Sequence, residues 1–252
     1  MKHASIVTGA SRGLGLALAF ALLEAGQQVV AAARTLTPEL DELSARYPGQ
    51  LFWLAVDLAD PAAAAALMPA ALAQLGAGPF ASLTLINNAG VVTPIGLVGQ
   101  WEDPLAVAQA VAINVTAPLL LTNAFITQTQ GLAERRSVIG ISSGAAVKAY
   151  PGWGVYGATK AALDHFSRHA ALEQTEYANG VKVVALYPGV VDTGMQATIR
   201  GSSAEAFPNR ARFEALKADG ALSSPADTAA RILAYLDSPA FASVPVVDIR
   251  EL

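Results

Sequence analysis

The sequence has no cysteine, which excludes disulfides, thiol nucleophiles and cysteine-ligated metals. Charge is scarce too: only 14% of the 252 residues are charged and 53% are hydrophobic, so the chain holds too much apolar surface to stay disordered. There is no long basic run. Arg135-Arg136 is the densest positive spot, and the net charge of -4 argues against nucleic acid or an anionic membrane as the main partner. A secretory leader is not expected, because Lys2 is followed by the glycine-broken segment Gly9 to Gly15 in place of a continuous apolar core. The alanine run Ala62 to Ala66 is bracketed by Pro61 and Pro69, too short to span a bilayer, and reads as helix. A cytoplasmic protein fits these absences, although they do not require one.

What the sequence does contain is an alternation. Short β-branched runs recur at Ala4–Thr8, Gln28–Ala33, Leu51–Val56, Ser82–Asn87, Ser137–Ser142, Val181–Tyr187 and Val244–Asp248. Segments of helical length and period lie between the first six, such as Leu14–Ala25 and Tyr156–Tyr177. Strands apolar on both faces that alternate with helices predict a single α/β domain over 1–252, a doubly wound parallel sheet of about seven strands with helices on both faces. From Pro188 to Ser224 no strand is expected, and glycine, serine, proline and charge mix with short helical stretches. Such an insertion after a late strand reads either as a substrate lid or as a surface excursion, and its place beside the site favours the lid.

Between the first strand and first helix lies Thr8-Gly9-Ala10-Ser11-Arg12-Gly13-Leu14-Gly15. Gly9 permits a tight turn, Gly13 allows backbone to approach a pyrophosphate, and Gly15 lets helix and strand pack closely. The helix start then offers free N–H groups and a positive dipole end to the phosphate. At the end of the second strand an NAD site typically carries a carboxylate for the ribose 2′-hydroxyl. Here Ala33 is followed by Arg34. That guanidinium, with Arg12 in the loop, suits a 2′-phosphate and points to NADP(H). Two ordinary solvent-facing arginines are the alternative.

Three further signals join the loop: Asn87-Asn88-Ala89-Gly90 closes the fourth strand, Ser143 precedes Tyr156 by thirteen residues, and Tyr156-Gly-Ala-Thr-Lys160 follows. This ordered set resembles the short-chain dehydrogenases/reductases over nearly the whole chain. Tyr156 and Lys160 stand i, i+4 on one helix face, where an ammonium beside a phenol favours the phenolate and makes tyrosine a usable acid. Ser143, expected at the end of the fifth strand, can donate to the developing oxyanion.

The resemblance implies more. Lys160 would bind the nicotinamide ribose, Asn114 would help hold a water relay, and Asp57 and Leu58 would flank the adenine. Asn88, Ala89 and Gly90 would support the cofactor, together with the glycine-loop residues Gly9, Ser11, Arg12, Gly13, Leu14 and Gly15. Pro188, Gly189, Val191 and Thr193 would lie against the nicotinamide. A homodimer or homotetramer is the family's habit. Within the family, Gly152-Trp153, the run Asp192-Thr193-Gly194-Met195-Gln196 and the ending Val247-Asp248-Ile249 look most like the sepiapterin and benzil reductase branch. The expected substrate is therefore a small cyclic or aromatic ketone or diketone, contacted by Ser143, Tyr156 and Gly189.

Trp153 reads equally as a pocket wall and as core. Asp248 reads as a strand end or as an anchor for an amino-substituted pterin ring. His165 and His169 are i, i+4, but with no third ligand in view they read as a packed or subunit-facing pair, and no metal is expected. Rival functions are a non-catalytic NADP sensor, a nucleotide-sugar epimerase of related fold and a dehydrogenase of an unrelated alcohol. The intact Ser143, Tyr156 and Lys160 set weighs against a sensor, which has no need of an acid.

Overall fold

A computed structural model describes all residues, Met1–Leu252. Its seven strands are β1 (Lys2–Thr8), β2 (Gln28–Ala33), β3 (Leu51–Ala55), β4 (Phe80–Asn87), β5 (Ala133–Ile141), β6 (Lys182–Tyr187) and β7 (Val246–Asp248). They form one parallel sheet in the order β3-β2-β1-β4-β5-β6-β7. The inner strands β1, β2, β4 and β6 are almost wholly buried because helices cover both faces, which is what their unbroken apolar runs require, while the edge strands β3 and β7 are only partly buried.

One face is covered by α1 (Gly13–Glu24) and α9 (Pro225–Asp237), whose Leu18, Leu22 and Ile232 join Val7, Ile86 and Val184 of the sheet. The other is covered by α3 (Pro61–Leu75), α5 (Ala117–Gln128) and α6 (Gly154–Gln174), where Met68, Leu121 and Phe125 meet Ile6, Leu85 and Val183. A short α2 (Pro38–Arg46) links β2 to β3, and α4 (Pro104–Val111) leads into α5 through a π-helical turn, Ala112–Thr116. The joined run Pro104–Gln128 has the length and apolarity of a membrane span, but it packs on α3 and α6 and carries fully buried Asn114 at its middle. It is a layer helix of the α/β sandwich.

Two sequence expectations are corrected. Pro69 does not end its helix: α3 runs through it to Leu75, and Pro69 lies on the exposed side, where water can take the carbonyl that loses its partner. β7 starts at Val246, not Val244, because Pro245 has no N–H to give the ladder, although its carbonyl still accepts from Ala185 N at 2.9 Å.

The strand order reverses between β1 and β4. In open parallel sheets, ligands occupy the crevice beyond the strand carboxyl ends at that point. The Gly9–Gly15 loop leaves β1 there, and Asn88–Gly90 leaves β4 beside it.

Candidate active site

The glycine loop is shaped for backbone approach. Gly9 and Gly13 have φ of +67° and +56°, and a Cβ on Gly15 would sit 2.2 Å from the Gly9 carbonyl oxygen. Thr8 and Asn88 hold the loop in place. The Thr8 hydroxyl accepts from the N–H groups of Asn88 (3.0 Å) and Ala89 (3.1 Å), and Asn88 Nδ2 donates to the carbonyls of Thr8 (2.9 Å) and Gly9 (3.3 Å). Thr8 as this hub was missed by sequence reasoning, which valued the glycines and passed over the residue before them.

The α1 start follows Arg12, and no side chain caps its N–H groups. Four orphan donors at a helix end call for an acceptor, and an anion supplies one. Arg12 and Arg34 are both exposed, and neither makes an ion pair within the chain. Leu14 and Leu58 are buried; Asp57 is exposed, and its carboxylate accepts from Ala59 N at 3.0 Å. The Ser11 carbonyl accepts from the Thr37 hydroxyl at 2.9 Å. After β6, Pro188 and Gly189 (φ +79°) turn the chain, and a Cβ on Gly13 would lie 3.2 Å from Thr193 Cγ2, so the 188–193 loop closes over the glycine loop. Open helix donors, unpaired arginines and a cradle that admits no side chain fit a dinucleotide phosphate.

At the next strand ends the candidate catalytic groups converge. Ser143 lies two residues past β5 in extended backbone. Tyr156 is in the first turn of α6, and Lys160 is one turn on. The Lys160 Nζ is 5.7 Å from the Tyr156 ring centre and donates to the Ile141 carbonyl at 2.7 Å. Burial pushes the Tyr156 phenol up, while the Ser143 hydroxyl beside it pulls the other way. Burial also brings the Lys160 ammonium down to about 8, with the Asp164 carboxylate opposing that fall.

Asn114 sits in the π turn, a distortion that often marks functional sites. Its Nδ2 donates to the Val91 carbonyl (2.8 Å) and to the Thr159 hydroxyl (3.0 Å), and its Oδ1 accepts from Val91 N (2.8 Å). The side chain is fully engaged in tying the segment after β4 to α6. Gly90 packs against both Asn114 and Lys160, since a Cβ there would stand 3.3 and 3.5 Å from their polar atoms.

The 188–224 segment contains α7 (Gly194–Arg200) and α8 (Arg210–Ala218) and is closed at its base by pairing of Val191 with Ser223. Trp153 is buried beneath it. The indole stacks on Phe207 at 4.8 Å, meets Phe213 at 5.2 Å and touches the Tyr156 ring edge-on at 5.4 Å. Val191 is buried, and Asp192 is ion-paired with Lys217 of α8. Asp248, at the end of β7, gives both carboxylate oxygens to Arg250, which donates through Nε at 2.9 Å and Nη2 at 2.5 Å. Arg250 in turn packs against Gly189. His165 and His169 are exposed on α6 with their Nε2 atoms 3.2 Å apart.

An open parallel sheet with a glycine loop at its switch point and a serine–tyrosine–lysine group at the neighbouring strand ends defines a dinucleotide-dependent oxidoreductase. The family model for short chain dehydrogenases matches residues 3–204, and this chain belongs to that family. It is 38% identical over 246 residues to a benzil reductase ((S)-benzoin forming) of Bacillus cereus, covering 98% of both chains. It is 33% identical over 261 residues to the sepiapterin reductase of Rattus norvegicus, covering 98% of this chain and 96% of that one. The crystal structure of the KRED1-Pglu enzyme is similar with a TM-score of 0.83 at 28% identity, over 98% of this chain and 100% of that one. The chain is thus an oxidoreductase acting on carbonyl or alcohol groups, from the branch that holds benzil and sepiapterin reductases.

Proposed function

We propose that the chain is an NADPH-dependent reductase of small aromatic or cyclic ketones and diketones, with Tyr156 as the proton donor. The observation that carries this reading is the convergence of Ser143, Tyr156 and Lys160 beside an uncapped helix start and two unpaired arginines. When bound, the cofactor supplies the hydride. The N–H groups at the start of α1 and the backbone of Gly9 to Gly15 would hold its pyrophosphate, Arg12 and Arg34 its 2′-phosphate, and Asp57 and Leu58 would flank its adenine. Asn88, Ala89, Gly90, Pro188, Gly189, Val191 and Thr193 would enclose the nicotinamide end, with Lys160 on its ribose.

Ser143 and Tyr156 then grip the substrate oxygen from one side. The Ser143 hydroxyl donates to it, and the Tyr156 phenol gives up its proton as negative charge develops there. Lys160, fixed by the Ile141 carbonyl, places positive charge behind the phenol and makes that proton available near neutral pH. The 188–224 segment acts as the substrate lid, and its aromatic contacts with Trp153 keep water from the reacting carbon. With Asp248 held by Arg250, the pocket suits a diketone such as benzil better than a pterin, whose ring donors need a free carboxylate. A homodimer or homotetramer in the cytoplasm completes the reading. The outer side of α4, with Leu105 and Val111 exposed, is the apolar surface that assembly would cover.

Tyr156→Phe tests the chemistry. It keeps the ring and removes the proton, so kcat for benzil reduction falls by about 10²–10⁴-fold while NADPH binding is kept. A variant that retains more than half of the wild-type turnover, with chemistry limiting, removes Tyr156 from the mechanism.

A further inference from the structure

Asp164 is a buried carboxylate that the chemistry described above does not use. It lies one turn beyond Lys160 on α6, pointing into the sheet. Its Oδ1 accepts from the Ser142 hydroxyl at 2.5 Å, and its Oδ2 accepts from the Tyr187 hydroxyl. Ser142 immediately precedes Ser143, and the same hydroxyl reaches the Lys160 carbonyl at 3.4 Å. Tyr187 immediately precedes Pro188-Gly189. One carboxylate therefore ties together the three segments that carry the reactive serine, the tyrosine–lysine pair and the loop over the cofactor site.

We propose that Asp164 is a positioning residue of the reduction: its carboxylate fastens the ends of β5 and β6 to α6, and its charge sets the field in which Lys160 and Tyr156 hold their protons. The inference rests on the reading of Tyr156 and Lys160 as acid and partner. Two hydroxyl donors on one carboxylate form charge-assisted bonds, stronger than neutral ones. Burial raises the Asp164 carboxyl, and Ser142, Tyr187, Arg168 and Lys160 all act to keep it ionised. The negative charge reciprocally supports the ammonium of Lys160, which burial otherwise disfavours. The groups facing this pair are Tyr156 and Arg168 on α6, Tyr187 on β6, and Asp248 at the end of β7 beyond Tyr187. The stretch of α4 and the π turn packed against α6 contains no titratable residue.

The sign of the effect is fixed. Removing a nearby negative charge makes proton loss easier from an ammonium and from a phenol alike, so the first proton leaves the coupled Lys160–Tyr156 pair at lower pH. The test is kcat against pH for the full chain with NADPH and benzil, in wild type, Asp164→Asn and Tyr187→Phe, with thermal unfolding by circular dichroism to monitor the fold. Asn keeps the shape and can still bond both hydroxyls. Its alkaline decline moves down by on the order of one pH unit. Tyr187→Phe keeps the charge and loses one fastening. Its kcat falls roughly threefold to tenfold with the alkaline decline unmoved. An Asp164→Asn profile that coincides with wild type, or a Tyr187→Phe enzyme with wild-type kcat, overturns the proposal while leaving Tyr156 its role. Equal displacement of the decline in both variants also overturns it, because the charge would not be the cause. If Tyr156→Phe keeps its turnover, both readings fall together.

Discussion

Tyr156 is a weak acid in a place that makes it weaker, since burial disfavours its anion. The Ser143 hydroxyl offsets this, and in the proposed mechanism the charge on Lys160 does so as well. Cofactor choice has a similarly local origin. Arg34 stands exposed just past β2 with no carboxylate partner, and in the proposed reading a 2′-phosphate is the acceptor for its guanidinium. Arg34→Ala should raise KM for NADPH by roughly tenfold to a hundredfold and leave NADH nearly untouched, the loss expected of one charge-assisted contact. Steady-state kinetics with both cofactors check this, and equal use of NADPH and NADH by the wild type would remove Arg34 from cofactor selection. The residues readable from sequence were those with fixed spacing, such as Tyr156 and Lys160 one turn apart. Thr8, Thr159, Asp164 and Tyr187 were not readable, because their bonds join β1 to the segment after β4, the π turn to α6, and α6 to β6. Polar contacts between distant segments leave no periodic trace. Arg250 was hidden for the same reason, although Asp248, its partner, had been singled out.

All seven strands follow the β-branched runs within a few residues, and for the inner strands burial on both faces leaves only apolar sequence to choose from. The boundary at Pro69 was misread by taking proline as a stop without knowing that it faces solvent, and the one at Pro245 by running the strand through a residue with no N–H for the ladder. The 188–224 segment shows the limit at this scale: its lack of strands was legible, but its anchoring was not. Trp153 stacks on Phe207 and meets Phe213 at a tilt, and Gly152 (φ +92°) lets the backbone of this segment come so near that a Cβ would lie 2.2 Å from the Ala206 carbonyl oxygen. Phe207 is fully buried. Phe207→Ala is therefore expected to lower the unfolding free energy by about 3–5 kcal/mol and to expose 194–218 to proteolysis in the native protein. Denaturant titration and limited proteolysis measure the two effects. A variant as stable and as resistant as wild type would mean that the segment is held by something other than these aromatic contacts.

At the scale of the molecule, one topological fact organises the site. The strand order reverses between β1 and β4, opening a crevice at the carboxyl ends where the glycine loop, Asn88–Gly90, Ser143, Pro188–Gly189 and Asp248 all emerge. The sheet gives these segments a rigid base, and the buried Asn114 and Asp164 networks lock α6 to it. Membership of the short-chain dehydrogenase family and likeness to benzil and sepiapterin reductases set the class of reaction; NADPH and an aromatic diketone are the proposed particulars. The most direct test is the absorbance of NADPH followed on mixing the purified wild-type chain with benzil, with NADH in a parallel cell. The account predicts benzil-dependent loss of NADPH with benzoin as product, and a much slower loss of NADH. No benzil-dependent consumption of either nucleotide by a folded, cofactor-binding protein would contradict it.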